Sequence, residues 1–465
     1  MDFRVESDSI GEKMVPKDVY YGVQTLRGAD NFRITGLRLN VEFIRSIVQV
    51  KKAAAITNCE IGTLDRNIEQ AIIRACDEIV DGALKEDFII DPIQGGAGTS
   101  INMNANEVIA NRAIEILGEE KGNYSIVHPN DHVNMGQSTN DVIPTAGKIT
   151  ALRLVSKTID KLKELDSALE KKSREFKDVI KMGRTQLQDA VPITLGQEFK
   201  AYSAVVKRDI IRIEKAKEEL KVVNIGGTAV GTGINADNRY VERIVPRLSF
   251  VTGLNLKKAE DLIDSTQNLD GFSSISSAIK TCAVNLSKIA NDLRLMSSGP
   301  RTGLGEINLP AKQNGSSIMP GKVNPVIPEV INQIAFNIIG NDVTVSMAVE
   351  AGQLELNAFE PVIFYNVFES IETLTNGVDT LIKNCIVGIT ANEEKCSELV
   401  NNSVGMVTAL CPYVGYTEAA KIAKMAIRTG DSVKKVILKE GILKEKDINN
   451  IINPFRMITP GIVGK

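Results

Sequence analysis

The stretch that decides the fold is Phe272–Met296, with the sequence FSSISSAIKTCAVNLSKIANDLRLM. Its apolar residues alternate at intervals of three and four, and they are Phe272, Ile275, Ile279, Cys282, Leu286, Ile289, Leu293 and Met296. This heptad pattern predicts one continuous α-helix with a narrow apolar seam, about 37 Å long at 1.5 Å per residue. A rod of this length requires other long helices to cover its seam.

Four further stretches show the same kind of pattern. They are Phe199–Leu220, between Gly196 and Gly226; Leu152–Phe176, after Pro144; Val367–Cys385, after Pro361; and a stretch that begins at Pro325 and continues past Ile338. Five such helices predict a mainly α fold with a central bundle of roughly antiparallel rods. Because helices this long expose more apolar surface than one small domain can cover, we also expect several chains to associate.

The segments on either side of the bundle have shorter helical patterns. Val48–Ala55, Ile68–Leu84 and Asn104–Leu117 are separated by Gly-rich joints such as QGGAGTS, and the pattern shortens again beyond Gly388. We therefore predict three domains. They are a mostly helical N-terminal domain at 1–139, the central long-helix bundle at 140–391, and a small C-terminal helical domain at 392–465.

The composition excludes several classes of protein. The 465 residues are 43% hydrophobic and 24% charged, which is ordinary for a soluble globular protein of more than one domain. A net charge of −3 disfavours nucleic acid as the main partner. The N-terminus has no apolar signal-peptide region, and charged residues interrupt every apolar run before it could span a membrane. The six cysteines form no CxxC pair, so we expect free thiols in a cytoplasmic protein.

Four polar segments interrupt the helical patterns. They are Gly98–Asn104, Asn130–Asp141, Gly183–Asp189 and Gly315–Pro325. Each of the first three, taken alone, is typical of a helix cap or a turn. The fourth, GSSIMPGKVNP, combines glycines, prolines, paired serines and one lysine before a helix. Such a loop can point several backbone N–H groups at one position, which indicates an anion-binding loop.

GSSIMPGKVNP resembles the fingerprint loop of the aspartase/fumarase superfamily. Further segments are similar to the family in the same order along nearly the whole chain, and they are YYGVQTLRG, GGAGTSINMNANEV, VHPNDHVNMGQSTND, GRTQLQDAVPITLGQEF and GTAVGTG. The segments TSINMNANEV and HPNDHVN resemble the fumarase and aspartase branch rather than argininosuccinate or adenylosuccinate lyase. The loop motif is specific, because few accidental matches to it are expected.

The resemblance implies a three-domain fold whose central helices form a twenty-helix core in a homotetramer. Each active site would draw its four polar segments from three different subunits. The family reaction is an anti-elimination across Cα–Cβ of a succinyl group, through an enediolate-like carbanion. No cofactor and no metal ligand is implied, and activation by a divalent cation stays open.

The resemblance also assigns roles to residues. Ser316 would act as an alkoxide base that removes the Cβ proton, with Lys322 supplying a fixed positive charge nearby. The carboxylate that becomes the enediolate would be bound by Thr99, Ser138, Thr139 and Ser317. The other carboxylate would be bound by Thr185, Lys322 and Asn324. Asn140 would hold the amino group.

Gln186 distinguishes the two sibling activities. Fumarases of this type are similar to GRTHLQD at this position, and they use the histidine near the leaving hydroxyl, supported by a glutamate that matches Glu329. Malate must lose hydroxide, which needs a proton, whereas aspartate already carries its leaving proton as ammonium. Gln186 therefore favours the cleavage of L-aspartate to fumarate and ammonia. The alternative is a class II fumarate hydratase acting on fumarate and L-malate.

Two non-enzymatic alternatives also fit parts of the sequence. A catalytically silent, structural member of the superfamily is disfavoured by the presence of Ser316, Lys322 and the other site residues. A coiled-coil scaffold would explain the seams but not the four polar segments. His128 lies in a turn that resembles a second carboxylate site of fumarases, but a loop histidine is more often structural, so it is left outside the predicted site.

Overall fold

The computed structural model describes residues 2–464, and the chain is mainly α-helical, as predicted. The α-helices are α1 (Val23–Asn31), α2 (Val41–Glu60), α3 (Arg66–Val80), α4 (Thr99–Ile116), α5 (Thr139–Glu175), α6 (Leu195–Glu219), α7 (Asn238–Thr252), α8 (Leu262–Gln267), α9 (Asp270–Met296), α10 (Val326–Glu350), α11 (Glu360–Asn384), α12 (Glu393–Asn402), α13 (Cys411–Val414), α14 (Tyr416–Thr429), α15 (Val433–Lys439) and α16 (Glu445–Ile451).

The β-strands are short and pair two by two. They are β1 (Phe3–Asp8), β2 (Gly11–Pro16), β3 (Ile180–Thr185), β4 (Gln188–Thr194), β5 (Val222–Val223), β6 (Lys257–Lys258), β7 (Ile307–Asn308) and β8 (Thr390–Ala391). β1 with β2, β3 with β4, and β7 with β8 are antiparallel, while β5 and β6 are parallel. Pairs of this size only shape local turns, so helix packing supplies the core.

The five long helices predicted from the heptad patterns are confirmed as α5, α6, α9, α10 and α11. One boundary was wrong, because α5 begins at Thr139 and contains Pro144, whereas the pattern placed the helix after that proline. A proline inside a helix leaves the carbonyl four residues earlier without its N–H donor. Here the side-chain amide of Asn224 donates to the Asn140 carbonyl at 3.0 Å, and this bond replaces the missing one.

The chain divides into two compact units. One comprises the chain up to Ile159 with Ile211–Thr281 and Phe336–Thr375, and the other comprises Asp160–Ile210, Cys282–Ala335 and the chain from Asn376 onward. These boundaries fall inside the five long helices, so each unit contains one part of every rod. The three domains with boundaries at 139 and 391 remain a prediction.

The first unit is packed around aromatic side chains. The ring of Phe364 on α11 lies 5.0 Å from that of Phe272 on α9 and 5.4 Å from that of Phe43 on α2. Phe368 stacks on Phe364 at 5.7 Å. Aromatic pairs at these separations bury large areas and add a specific geometry to the contact. The N-terminal half of the predicted seam is therefore buried against α2 and α11.

The second unit buries the other half of the same seam. Leu286, Ile289 and Leu293 of α9 are all at most 2% exposed. Polar contacts fix the neighbouring helices, because Tyr202 of α6 donates to Asp292 and the amide of Asn332 on α10 donates to Ser287 and Asn291 of α9. The seam read from the sequence is thus confirmed along its whole length.

No disulfide joins the cysteines of residues 2–464, as predicted. Cys76, Cys282, Cys385 and Cys396 are buried, and burial raises the pKa of the Cys385 and Cys396 thiols to about 12. These thiols therefore stay protonated and behave as small apolar side chains. In residues 2–464 there is no helix that is both long enough and apolar enough to cross a membrane.

A buried ion cluster holds the β3–β4 hairpin within the second unit. Glu306 is fully buried, and its Oε1 accepts a hydrogen bond from Arg184 of β3 at 2.8 Å. Its other oxygen lies 3.4 Å from Lys181 Nζ, which also pairs with Glu198 at 3.0 Å. Two cations of the hairpin thus depend on one carboxylate that has no contact with solvent.

Replacement of Glu306 by glutamine should destabilise the protein strongly. The substitution leaves Arg184 without its carboxylate partner and leaves Lys181 paired with Glu198 alone. Removal of one partner of a buried ion pair typically costs about 3–5 kcal/mol of unfolding free energy. Urea unfolding at fixed protein concentration measures the change. Glu164→Gln serves as the control, because the Glu164 side chain is 53% exposed and pairs with Lys161 at the surface. Equal losses in the two variants would contradict a structural role for the buried cluster.

Candidate active site

The first two polar segments both end at the start of a helix in the first unit. Thr99 is the first residue of α4, after Gly98 with a φ of 84°, and Thr139 is the first residue of α5. Helix N-termini carry unpaired N–H groups and a partial positive charge, which favours a nearby anion. The Thr99 hydroxyl donates to the Gly96 carbonyl at 2.8 Å, so it must rotate to reach a carboxylate.

The hydroxyls of Ser138 and Thr139 are arranged as hydrogen-bond donors. Ser138 Oγ accepts from the backbone N–H of Asn140 at 3.2 Å, and Thr139 Oγ1 accepts from the side-chain amide of Asn102 at 3.3 Å. Because each oxygen already accepts a bond from the protein, each O–H proton is left for an external acceptor. Two such donors at one helix N-terminus suit a carboxylate, which only accepts hydrogen bonds when ionised.

The Asn140 side chain is held in one orientation. Its Nδ2 donates to the Ala229 carbonyl at 2.7 Å, which turns the amide nitrogen toward the Gly226–Ala229 turn. The amide oxygen is therefore the atom that remains to accept a hydrogen bond. An acceptor at this position fits a substrate ammonium group, which is the role predicted for Asn140.

A cavity of about 380 Å³ lies beside these groups in the first unit. Its lining includes Asn102, Ser138, Thr139, Thr228 and Ala229. Two buried polar atoms of this lining, Asn102 Oδ1 and Thr228 Oγ1, have no hydrogen-bond partner among the described residues. Unpaired buried polar atoms are uncommon and costly, so their place in the cavity wall indicates a binding site for a polar molecule.

Buried charges lie under this cavity. Lys51 of α2 donates to Asn134 Oδ1 at 2.6 Å, and burial lowers the pKa of Lys51 to about 7. Asp141 is fully buried, and this burial raises the pKa of its carboxyl to about 6. Pairs of titratable groups with displaced pKa values are concentrated at functional sites. Neither residue was predicted as part of the site.

The third segment is the tip of the β3–β4 hairpin, which was not predicted as a pair of strands. Thr185 ends β3, and the turn residues Gln186 and Leu187 have positive φ angles of 52° and 63°. Non-glycine residues in this conformation are uncommon and collect at functional sites. The turn leaves Thr185 and Gln186 exposed at the end of a hairpin anchored through Arg184.

The fourth segment holds the predicted base. Ser316 Oγ accepts hydrogen bonds from the backbone N–H groups of Ile318 at 3.2 Å and Met319 at 3.0 Å. Donors aimed at a hydroxyl oxygen stabilise the alkoxide more than the neutral hydroxyl. The loop therefore has the donor arrangement that the proposed serine base requires.

The same loop is closed at its base. The Gly315 N–H donates to the Lys322 carbonyl at 2.8 Å, and the Asn324 side-chain amide donates to the Gly315 carbonyl at 2.8 Å. A Cβ on Gly315 would meet that Lys322 carbonyl oxygen at 2.6 Å, so the close approach requires glycine. Ser317 and Lys322 are exposed on this closed loop, which α10 follows at Val326.

His128 has a structural role in the structure. Its Nδ1 accepts hydrogen bonds from the backbone N–H groups of Asn130 and Asp131 at 3.2 and 3.1 Å. The ring therefore caps the short helical turn Pro129–Val133.

The structure thus brings the predicted residues together in sets. Ser138 and Thr139 line one cavity, and Asn140 is bonded to the carbonyl of Ala229 in its wall. Thr185 and Gln186 share a hairpin tip, and one closed loop carries Ser316, Ser317, Lys322 and Asn324. Their roles toward a substrate remain predictions. Sequence reasoning missed Lys51, Asn102, Asp141, Thr228 and Ala229. Thr228 and Ala229 lie in the glycine-rich GGTA stretch, which could have indicated them but was given no role.

Comparisons with known proteins agree with this geometry. Residues 11–340 match a family described as lyase, and residues 406–459 match the fumarase C C-terminus. The chain is 55% identical over 464 residues to an aspartate ammonia-lyase of Bacillus sp, covering 100% of this chain and 99% of the relative. It is 48% identical over 467 residues to the aspartate ammonia-lyase of Escherichia coli strain K12, covering 100% and 98%.

Solved structures show the same fold. The fumarate lyase:delta crystallin from Brucella melitensis bound to cobalt matches with a TM-score of 0.96 at 50% identity, covering 99% of this chain and 100% of that one. The class II fumarase from Schistosoma mansoni matches with a TM-score of 0.95 at 35% identity, covering 98% and 99%. Full-length identity of this order, together with the closed GSSIMPGKVNP loop, leads to one conclusion: the chain belongs to the aspartase/fumarase superfamily of lyases.

Proposed function

We propose that the chain catalyses the reversible anti-elimination of ammonia from L-aspartate to give fumarate. It is a carbon–nitrogen lyase, since relatives at 48–55% identity over the full length are aspartate ammonia-lyases. The observation that carries the mechanism is the pair of backbone N–H groups aimed at Ser316 Oγ. This geometry supports a serine alkoxide in a chain that has only two histidines.

The reaction begins with proton transfer from Cβ of aspartate to the Ser316 alkoxide. The electron pair of the C–H bond moves into the adjacent carboxylate and gives an enediolate-like carbanion. That electron pair then forms the Cα–Cβ double bond as the Cα–N bond breaks. The nitrogen keeps the electrons of the broken bond, so the substrate ammonium group leaves as neutral ammonia without a further proton. Stabilisation of the developing negative charge is the largest contribution expected in such a step.

The proposed binding roles follow from the hydrogen-bond donors and acceptors that each side chain carries. Thr99, Ser138, Thr139 and Ser317 present hydroxyl donors to the carboxylate that becomes the enediolate. Thr185, Lys322 and Asn324 hold the other carboxylate, and the oxygen of the Asn140 amide accepts from the ammonium group. Support comes from the protein hydrogen bonds that the Ser138 and Thr139 hydroxyl oxygens accept, and from the Asn140 bond to Ala229.

Gln186 lies where the fumarase motif has histidine, and its exposed hairpin position supports contact with the leaving group. Ammonia leaves from a substrate that carries its own proton, so a neutral amide is sufficient there. The reaction needs no electron carrier and no group transfer to a carrier. We therefore propose that no cofactor is required, while activation by a divalent cation is a separate question.

We further propose a homotetramer whose active sites each combine segments from three subunits. Support comes from an exposed apolar row on α10 in the first unit, formed by Phe336, Ile339, Val343 and Met347. The spacing of three and four places them on one helix face, and Phe336 and Met347 are 65% and 67% exposed. Such a row requires a partner, and further copies of this chain supply one.

A cytoplasmic location is part of the same proposal. None of the cysteines in residues 2–464 forms a disulfide, and four of them are buried in the folded units, which supports a reducing compartment. Partners are accordingly limited to the small substrate, its products and the other subunits, without nucleic acid or membrane.

Substrate choice is the first test. Purified protein should form fumarate from L-aspartate and little or none from L-malate, because Gln186 cannot protonate a leaving hydroxide. Ultraviolet absorbance of the fumarate double bond measures both reactions under one set of conditions. Comparable rates with the two substrates would replace the aspartase assignment with the fumarase alternative.

Removal of the base tests the mechanism. Ser316→Ala should lower turnover by more than about 10³-fold, since loss of one oxyanion donor alone typically costs about 10²–10³-fold. Lys322→Ala should raise KM and lower kcat, and Lys322→Arg should not restore them, because a planar fork does not replace a compact ammonium. Lys312→Ala, which removes an exposed lysine outside the loop, is the matched control.

Exchange of the Cβ proton of aspartate into solvent identifies the step that is lost. Ser316→Ala should abolish exchange together with turnover, while circular dichroism stays unchanged. Normal exchange in this variant would assign proton abstraction to another residue.

Sedimentation tests the assembly. Four chains of 50.5 kDa should sediment together at about 200 kDa. Phe336→Asp combined with Met347→Asp places two charges in the exposed apolar row, so smaller species without activity are expected. Phe250→Asp is the control, because Phe250 is 79% exposed on α7, away from this row. A fully active monomer would contradict both the tetramer and the shared site.

A further inference from the structure

The Asp141 carboxylate joins two separate parts of the chain. Its Oδ1 accepts from the Ser138 N–H at 2.9 Å, and its Oδ2 accepts from the N–H groups of Gly226 at 3.0 Å and Thr228 at 2.9 Å. The first donor belongs to the start of α5, and the other two belong to the Gly226–Ala229 turn. One fully buried side chain thus fixes two backbone segments to each other.

Both segments carry groups that face the cavity. Ser138 and Thr139 line the cavity on the α5 side, and the turn supplies Thr228 and Ala229. The Ala229 carbonyl also holds the amide of Asn140, the next residue of α5. Thr228 keeps a positive φ of 54°, a conformation that persists only when its surroundings impose it. The distance from Asn140 Nδ2 to the Ala229 carbonyl therefore depends on the bonds that Asp141 makes.

We propose that Asp141 is a positioning residue, which sets the orientation of Asn140 and of the Ser138 and Thr139 hydroxyls toward the substrate. This inference rests on the proposed function, because it deepens the roles given to those three residues. Asp141 itself lies behind the backbone and does not touch the substrate. A shift of about 1 Å in groups that orient a substrate can cost about 10²-fold in rate.

Asparagine at this position cannot make the same bonds. A carboxylate accepts at both oxygens, whereas an amide places its NH₂ group opposite either Ser138 or the pair Gly226 and Thr228. The NH₂ group would then face a backbone N–H group instead of accepting from it, and one of the two backbone segments would lose its hydrogen bond to residue 141. Asp141→Asn should therefore loosen the Asn140–Ala229 contact while changing the side-chain volume very little.

The pH dependence offers an independent readout. Burial raises the pKa of Asp141 to about 6, against the backbone hydrogen bonds that lower it. Two titratable side chains face this carboxylate, Lys51 from α2 and Tyr240 from α7. Because the folded pKa lies above the ordinary value of 3.8, proton uptake as the pH falls through about 6 favours the folded state. Acid loss of activity through Asp141 should therefore occur without unfolding.

Glu107 offers a matched control in the same unit. It is a buried carboxylate of α4 that accepts from the backbone N–H groups of Gly22, Gln24 and Thr25 at 2.9, 2.9 and 3.0 Å. Glu107→Gln makes the same chemical change and also places donor against donor. Its bonds hold the start of α1 and none of the groups that line the cavity, so it reports the structural cost alone.

The experiment compares wild type, Asp141→Asn and Glu107→Gln. Unfolding temperature, kcat and KM for L-aspartate, and calorimetric binding of succinate, a dicarboxylate that cannot react, are measured for each protein. Both variants should unfold at lower temperature, but only Asp141→Asn should lose about 10²-fold in kcat/KM and bind succinate more weakly. Wild type should lose activity below about pH 6 while folded, and Asp141→Asn should lack this acid limb.

The possible results separate the two claims. Failure of wild type to convert L-aspartate would overturn the proposed function, while succinate binding would still report the role of Asp141. A wild-type kcat/KM in Asp141→Asn, or an equal loss in Glu107→Gln, would overturn the positioning role alone. If Asp141→Asn does not fold, Asp141→Glu keeps the charge but lengthens the side chain, and the same loss relative to Glu107→Gln is expected.

Discussion

Burial of the apolar seam along α9 is the constraint on which the rest of the structure depends. A straight rod offers side chains along its length for packing, and Phe272 to Met296 are used for that purpose throughout. The polar groups that could bind a substrate are then placed at the starts of helices. Thr99 opens α4, Thr139 opens α5, and the Ser316 loop ends just before α10. Three of the four polar segments therefore adjoin a helix N-terminus, a position that favours the binding of an anion.

Backbone N–H groups do much of the work that charged side chains perform elsewhere. They hold the oxygen of Ser316, the carboxylate of Asp141 and the ring nitrogen of His128. A backbone donor cannot swing away or lose its proton, so the groups it holds are already oriented before the substrate arrives. The proposed Ser316 base has no histidine partner and depends on this property, since an alkoxide has to be stabilised by fixed dipoles.

Most of the fold could be predicted from the sequence, because helix periodicity is a local property. All five long helices were found, and only the start of α5 was wrong, since the amide of Asn224 that compensates Pro144 is 80 positions further along the chain. Contacts of that kind leave no local pattern. The same reason hides the Glu306–Arg184 pair and the bonds from Asp141 to the Gly226–Ala229 turn.

The candidate site was predictable in a different way. Ser316, Lys322 and the hydroxyl residues were found through a motif, and the structure adds what the motif does not contain. It shows which atom of Asn140 is free, and that Gln186 lies on a strained hairpin turn. Their contact with a substrate stays a prediction that rests on the proposed assembly of several subunits.

The hydroxyl oxygens of Ser138 and Thr139 each accept a hydrogen bond from the protein, and this has a consequence for the proposed capture of a substrate. They attract a carboxylate by short-range hydrogen bonds and carry no net charge, so dissolved salt barely screens them. Lys322, exposed on its loop, is the group whose field extends into solvent. Ionic strength should therefore act mainly on the rate of encounter, while the lifetime of the bound dicarboxylate at the α5 end stays nearly independent of salt.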